Sequence, residues 1–596
     1  MIPQWLLVLA FTAMRLAIVN SEALVVDTAH NVTYQGLTRN GVEFFLGVPY
    51  AQDTGGANRF KPPQLHVPDN DSTVDATAYG PACPQVMGLP PLYPLTLSNV
   101  TDVSEDCLHL NIARPSGISA NQGCGLPVMV FIHGGSFWDN SNAEITNAPD
   151  ALVLQSVENG LPVIYVAMNY RLGAFGFAQT QALRQEGSLN AGLRDQRLAI
   201  EWVRDNIGMF GGNGEAITIF GQSSGGLAVG MQIMAYGGTK PVPFQRGICE
   251  SQALEPGITG NFTYHQMDLL ATALGCNTST LDSNETLACL RASDTTTFLN
   301  ASIATYSGDV SHNIGDVWLP AVDDDFLPAA PSTLVSQHRM ATNVSVMIGW
   351  TDDDLGFFTP RTIASDADTR DFVTSYLPDL DPENTDALLA LYPVSDFAAN
   401  PAANLTAQFY RSARIFRDVL MTCMPIWFGD HLAQMHSPGV YLYDQNATIL
   451  TPILAAQGYP GLGPVHTSEF AYVYANFSHY DTLSGFAPTE QDYALLPRQS
   501  RSWTSFAATG QPSLVGKETL VGWGEGFVPM PMAEGKGGQG NRTEVFVIGG
   551  GTPGLWALDG DGEREGEGGS AALTAQRLGE RCAFLNSGGV IAQLKF

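Results

Sequence analysis

Apolar residues along this chain follow two different rhythms. Val128-Met129-Val130-Phe131-Ile132, Pro162-Val163-Ile164-Tyr165-Val166-Ala167 and Ala216-Ile217-Thr218-Ile219-Phe220 are almost continuously apolar or β-branched, without alternation. Runs of this kind predict parallel strands buried on both faces. Residues 198–210 instead predict a helix, ended by Gly211-Gly212. Strand, helix and strand alternate through the first half, which predicts an α/β fold with a mostly parallel central sheet covered by helices. Residues 255–310 and 360–440 predict large helical insertions that roof the sheet. Residues 533–571 are rich in Gly and Glu around Glu544-Val545-Phe546-Val547-Ile548, and predict a long surface loop about one strand.

The third apolar run leads straight into Gly221-Gln222-Ser223-Ser224-Gly225, a G-x-S-x-G sequence, followed by small residues that can open a helix. Glycines flanking a serine between strand and helix allow a sharp turn that exposes the hydroxyl. The alternative is a purely structural turn. A serine alone is a weak nucleophile and needs a base, a group to orient that base, and donors for the developing oxyanion.

Composition narrows the classes. The 596 residues carry a net charge of −30 with only 28 Lys plus Arg, a poor match to nucleic acid or to anionic membrane surfaces. Trp5-Leu6-Leu7-Val8-Leu9-Ala10-Phe11 is too short to span a bilayer, and Ser21-Glu22-Ala23 offers small residues for cleavage. A signal peptide over residues 1–23 is therefore expected, with one domain over residues 24–596. N-x-S/T sequons recur from Asn31 to Asn541, so a secreted protein bearing N-glycans is expected. Eight cysteines fit an oxidising compartment. No Cys or His cluster has ligand spacing, so neither a metal nor another cofactor is expected. Oligomeric state has no signature in the sequence.

The Ser223 segment resembles the nucleophile signature of the type-B carboxylesterase/lipase family, which includes cholinesterases and fungal lipases. Further blocks resemble that family in the same order. They include Gly47-Val48-Pro49-Tyr50-Ala51, Ser104-Glu105-Asp106-Cys107-Leu108, His133-Gly134-Gly135-Ser136-Phe137, Asn169-Tyr170-Arg171-Leu172-Gly173 and Gly463-Pro464-Val465-His466. The resemblance implies an α/β-hydrolase fold and a catalytic triad of Ser223, His466 and an acid. At the acid's position the chain reads Thr351-Asp352-Asp353-Asp354-Leu355-Gly356, where the family has Glu. Ungapped alignment favours Asp354 over Asp353 and Asp352. The oxyanion hole is implied at the backbone N–H groups of Gly135, Ser136 and Ser224, with Ser136 standing where the family usually has a third glycine.

The resemblance also implies disulfides Cys83–Cys107, Cys276–Cys289 and Cys423–Cys582, leaving Cys124 and Cys249 unpaired. It further implies buried ion pairs Arg171–Asp195 and Arg59–Glu105. The expected activity is hydrolysis of small-molecule or lipid carboxylic esters through an acyl-serine intermediate. A lipase acting on longer-chain acylglycerol or sterol esters is the alternative, suggested by the Leu- and Pro-rich loop after Cys83. That loop lacks the tryptophan with which cholinesterases hold a quaternary ammonium. A catalytically silent adhesion or scaffold protein is the reading from another class.

Overall fold

The computed structural model describes the chain apart from residues 1–20, 119–124, 253–256, 259, 278, 314–316, 530–540 and 559–569. The expected leader lies outside the described residues up to position 20, and Ser21–Asp27 forms the first strand. One mixed sheet organises the molecule. Its centre runs, in spatial order, Ile164–Met168, Leu126–Ile132, Gly212–Gln222, Arg246–Glu250, Ser345–Thr351, Val440–Gln445 and Asn541–Ile548, with every neighbouring pair parallel. The three runs singled out by their continuous apolarity all lie here, buried on both faces as a parallel sheet requires. Antiparallel strands finish both edges: His109–Pro115, Val42–Pro49, Val32–Arg39 and Ser21–Asp27 on one side, Gly554–Ala557 and Phe527–Pro529 on the other. The fold is thus the expected α/β-hydrolase architecture, a mostly parallel sheet flanked by helices.

The helix expected over residues 198–210 begins earlier, at Ala191, and runs to Asn206 before a tighter turn Ile207–Phe210. Its first turns carry Asp195, Gln196 and Arg197, all buried, so their polarity hides a helix that hydrophobic periodicity alone cannot locate. Asp195 meets Arg171 at 2.6 Å and Glu105 meets Arg59 at 2.5 Å, both pairs buried. Each removes two charges from water, so their stability rests on close geometry; they tie loops to the sheet.

The insertions are helical, including Phe262–Ala273, Asn284–Ala292, Asp366–Tyr376, Ala407–Arg417 and Cys423–Gln434. Disulfides join Cys83 to Cys107, Cys276 to Cys289 and Cys423 to Cys582. Cys249 is free and buried in a central strand, and burial pushes its thiol pKa up. Cys124 lies outside the described residues. So do residues 533–540 and 559–569 of the loop expected over residues 533–571, whose described part includes the paired strands Asn541–Ile548 and Gly554–Ala557. No described helix is long and apolar enough to cross a membrane.

Candidate active site

Strand Gly212–Gln222 ends one residue before Ser223, and helix Ser224–Met234 starts one residue after it. Ser223 itself adopts φ 62° and ψ −128°, a strained turn for a residue with a side chain. Two close approaches explain the flanking glycines. A Cβ on Gly221 would lie 2.6 Å from the Gly225 and Ile132 carbonyl oxygens, and one on Gly225 would lie 2.1 Å from that of Ile132. The strained serine is anchored on both sides: its N–H donates to the Glu250 carbonyl at 2.9 Å and its carbonyl accepts from Leu227 N–H at 2.9 Å.

His466 and Asp354 meet at 2.5 Å between Nδ1 and Oδ1, both buried. The second carboxylate oxygen accepts from Ser251 Oγ at 2.7 Å and from Thr351 N–H at 2.9 Å, and His466 N–H donates to the Asp354 carbonyl at 3.1 Å. Three donors on one buried carboxylate compensate its desolvation. With its Nδ1 proton directed at Asp354, the imidazole presents the Nε2 lone pair, and the Gln222 side-chain amide lies 3.0 Å from that nitrogen.

The three adjacent aspartates have different surroundings. Asp352 faces Arg417, at 3.5 Å, and the Gln576 amide, at 2.9 Å. Asp353 accepts from Gly463 N–H at 2.8 Å, and its own N–H donates to the Pro464 carbonyl at 2.9 Å. It braces the turn leading to His466. Burial pushes the Asp353 carboxyl up to about 7, against the Gly463 hydrogen bond. Of the three side chains, that of Asp354 reaches the histidine.

The loop His133–Phe137 lies against the elbow, since a Cβ on Gly134 would come within 2.4 Å of the Gln222 carbonyl oxygen and 3.0 Å of Ser223 Cβ. Gly135, Ser136 and Phe137 all have positive φ, of 104°, 54° and 53°. No protein acceptor takes the Gly135 or Ser136 N–H among the described residues. Ser224 N–H belongs to the first helical residue, whose amide has no intrahelical partner. The loop against the elbow, a strained serine and an imidazole held between Asp354 and the Gln222 amide next to Ser223 thus lie together at one end of the sheet. Among the described residues no three His, Cys, Asp or Glu side chains form a group that could hold a metal ion.

Comparison with known proteins shows the family. The model of the carboxylesterase family matches residues 29–527. The chain belongs to the carboxylesterase family. It is 48% identical to a secreted lipase of Arthroderma benhamiae over 581 residues, 97% of each chain. It is 34% identical to an inactive carboxylesterase-like protein of Byssochlamys spectabilis, covering 85% of this chain and 87% of that one. The solved structure of Aspergillus niger EstA superposes with a TM-score of 0.73 at 24% identity, covering 97% of this chain and 99% of that one, a likeness of fold. The protein is a carboxylic ester hydrolase.

Three neighbours of this carboxylesterase's site escape a reading of the sequence. Ser251, at φ 43°, follows directly on strand Arg246–Glu250 and reaches Asp354. The signal that could have found it is its place at the carboxyl end of a central strand, where α/β sheets bind ligands. Behind it lie two buried carboxyls. Glu250 accepts from Trp503 Nε1 at 2.5 Å, while neither oxygen of Glu469 has a hydrogen-bond partner among the described residues. Burial pushes Glu250 up to about 8 and raises Glu469 well above the usual carboxyl range.

Proposed function

We propose that the enzyme hydrolyses its esters through an acyl-Ser223 intermediate, with His466 as the base and Asp354 as the acid that orients it. The observation carrying this reading is the 2.5 Å contact of His466 Nδ1 with Asp354, beside a strained Ser223. His466 Nε2 takes the Ser223 proton as Oγ attacks the ester carbonyl, and returns it to the departing alcohol. Asp354 stabilises the imidazolium formed in between. The N–H groups of Gly135, Ser136 and Ser224 hold the negative oxygen of the tetrahedral intermediate. Water, activated by the same histidine, then releases the acid and restores Ser223.

The enzyme is secreted after removal of a leader within residues 1–23, leaving the rest as one domain. The disulfides and the secreted relative support this reading. It carries N-glycans on exposed sequons such as Asn70, Asn99, Asn300 and Asn343.

A lipase reading has its own support. Met87 and Leu89, in the Cys83–Cys107 loop, are 59% and 64% exposed, an apolar surface suited to an interface. Mass spectrometry after a fluorophosphonate probe tests the mechanism: one adduct mapping to Ser223 and absent in Ser223→Ala is expected. An unlabelled, folded wild type would overturn it. Rates on p-nitrophenyl esters of increasing chain length then separate the substrate classes. A jump in rate above the solubility limit selects the lipase, and saturation below it the esterase.

A further inference from the structure

We propose that the Ser224 hydroxyl and the Tyr170 phenol are positioning residues that lock the loop His133–Phe137 in its donating conformation. The proposal rests on the acyl-serine reading and adds residues to it.

The loop needs an external hold. Ser136 and Phe137 carry side chains yet sit at φ 54° and 53°, immediately after Gly135 at 104°. Consecutive residues in this region are uncommon, and persist only where the surroundings determine them. The loop's own bonds brace its downstream turn: Trp138 and Asp139 N–H both donate to the Gly135 carbonyl, at 2.8 and 3.0 Å. From outside, Gly173 N–H donates to the Phe137 carbonyl at 2.7 Å, and two hydroxyls supply side-chain bonds. Phe137 N–H donates to Ser224 Oγ at 3.2 Å, and Tyr170 OH donates to the His133 carbonyl at 2.7 Å.

Each hydroxyl holds a different end of the loop: Ser224 Oγ accepts from Phe137 N–H, and Tyr170 O–H donates to the His133 carbonyl. Both residues are buried, and the His133 ring stacks on Tyr170 at 4.4 Å between centroids. Burial raises the phenol's pKa and lowers that of His133 to about 4, so the phenol keeps its proton and the stacked ring stays neutral at ordinary pH. The downstream end of the loop is therefore fastened to the first residue of the helix that follows Ser223, and the upstream end to Tyr170. Ser224 contributes its backbone N–H to the hole and its hydroxyl to the loop that bears the other donors. One residue thereby sets the spacing between donors from two separate segments. Spacing of this kind matters most where the oxyanion forms and little in the ground state.

Ser224→Ala removes the acceptor of Phe137 N–H and leaves the backbone N–H in place; Tyr170→Phe removes the phenolic hydroxyl alone. On a short p-nitrophenyl ester, Ser224→Ala is expected to lose about 10- to 100-fold in kcat with KM within about twofold. Affinity for a boronic acid that mimics the tetrahedral intermediate should fall by the same factor, and Ser224→Thr should restore most of both. Tyr170→Phe should lose in the same direction, since it frees the other end of the loop. Wild-type kcat and boronate affinity in Ser224→Ala would overturn the proposal. If Ser224→Ala does not fold, Tyr170→Phe decides by the same kcat and boronate readings. A wild type that neither turns over nor takes the fluorophosphonate would sink the acyl-serine reading instead.

Discussion

Around Ser223 the backbone does the positioning, through left-handed residues and glycines with no room for a Cβ. Around His466 side chains do it: Asp354, Ser251, the Gln222 amide and, one turn away, Asp353. The two halves should therefore fail differently. A backbone-built site breaks sterically when any atom is added. A side-chain-built site degrades with orientation and protonation, and tolerates changes in all but the atom that touches the reacting group.

The deepest test of the first half is Ser223→Ala, which should cost about 10⁴-fold or more in kcat while leaving the fold intact. Turnover at the wild-type rate would detach the elbow from the chemistry. In the second half, Asp354→Asn should cost about 10³- to 10⁴-fold, while Asp353→Asn and Asp352→Asn stay within about tenfold of wild type. A deeper loss at Asp353 would transfer the acid's role there. Gly135→Ala sharpens the steric side: the new Cβ would come within 2.3 Å of Asp139 Oδ1, at φ 104°. A loss of about 100-fold in kcat with a lowered Tm is expected; a variant with wild-type kcat would show the loop to be adaptable.

The smallest effect is on stability and concerns the carboxyls behind His466. Glu250 is raised from 4.5 to about 8, so the folded protein keeps a proton that the unfolded chain releases above its ordinary value. Its contribution is present in full below pH 4.5 and disappears as pH climbs through 8. Asp353 and Asp444, each raised to about 7, act in the same sense. His133, lowered to about 4, acts oppositely, but only as pH falls below 6.5. Between pH 6.5 and 8 the wild-type Tm should therefore fall, and Glu250→Gln, which keeps a neutral amide there, should fall less. Parallel slopes would place the titrating proton on another group.

The contrast also explains what a reader of the sequence can see. Strands that are apolar throughout, and a serine between glycines, announce themselves because tight backbone geometry leaves a mark in composition. The helix starting at Ala191 does not, since its buried Asp195, Gln196 and Arg197 look like surface residues until Arg171 is placed beside them. Nor does the choice among Asp352, Asp353 and Asp354, because neighbouring identical side chains differ only in what the rest of the chain brings to them. Family position indicated Asp354; Arg417, Gly463 and His466, drawn from distant segments, are what separate the three. Ser251 and Tyr170 are hidden for the same reason.

The bond between Cys423 and Cys582 closes a covalent ring across a sequence separation of 159 residues, holding His466 but neither Ser223 nor Asp354. A protease cutting beside the exposed Val515 would open that ring without releasing anything. The two polypeptides would stay joined, the sheet edge Asn541–Ile548 would remain at high effective concentration beside its neighbour, and the nicked molecule would migrate as a single species until a reductant parted it. Such a seam lets the chain be broken once and still remain one molecule.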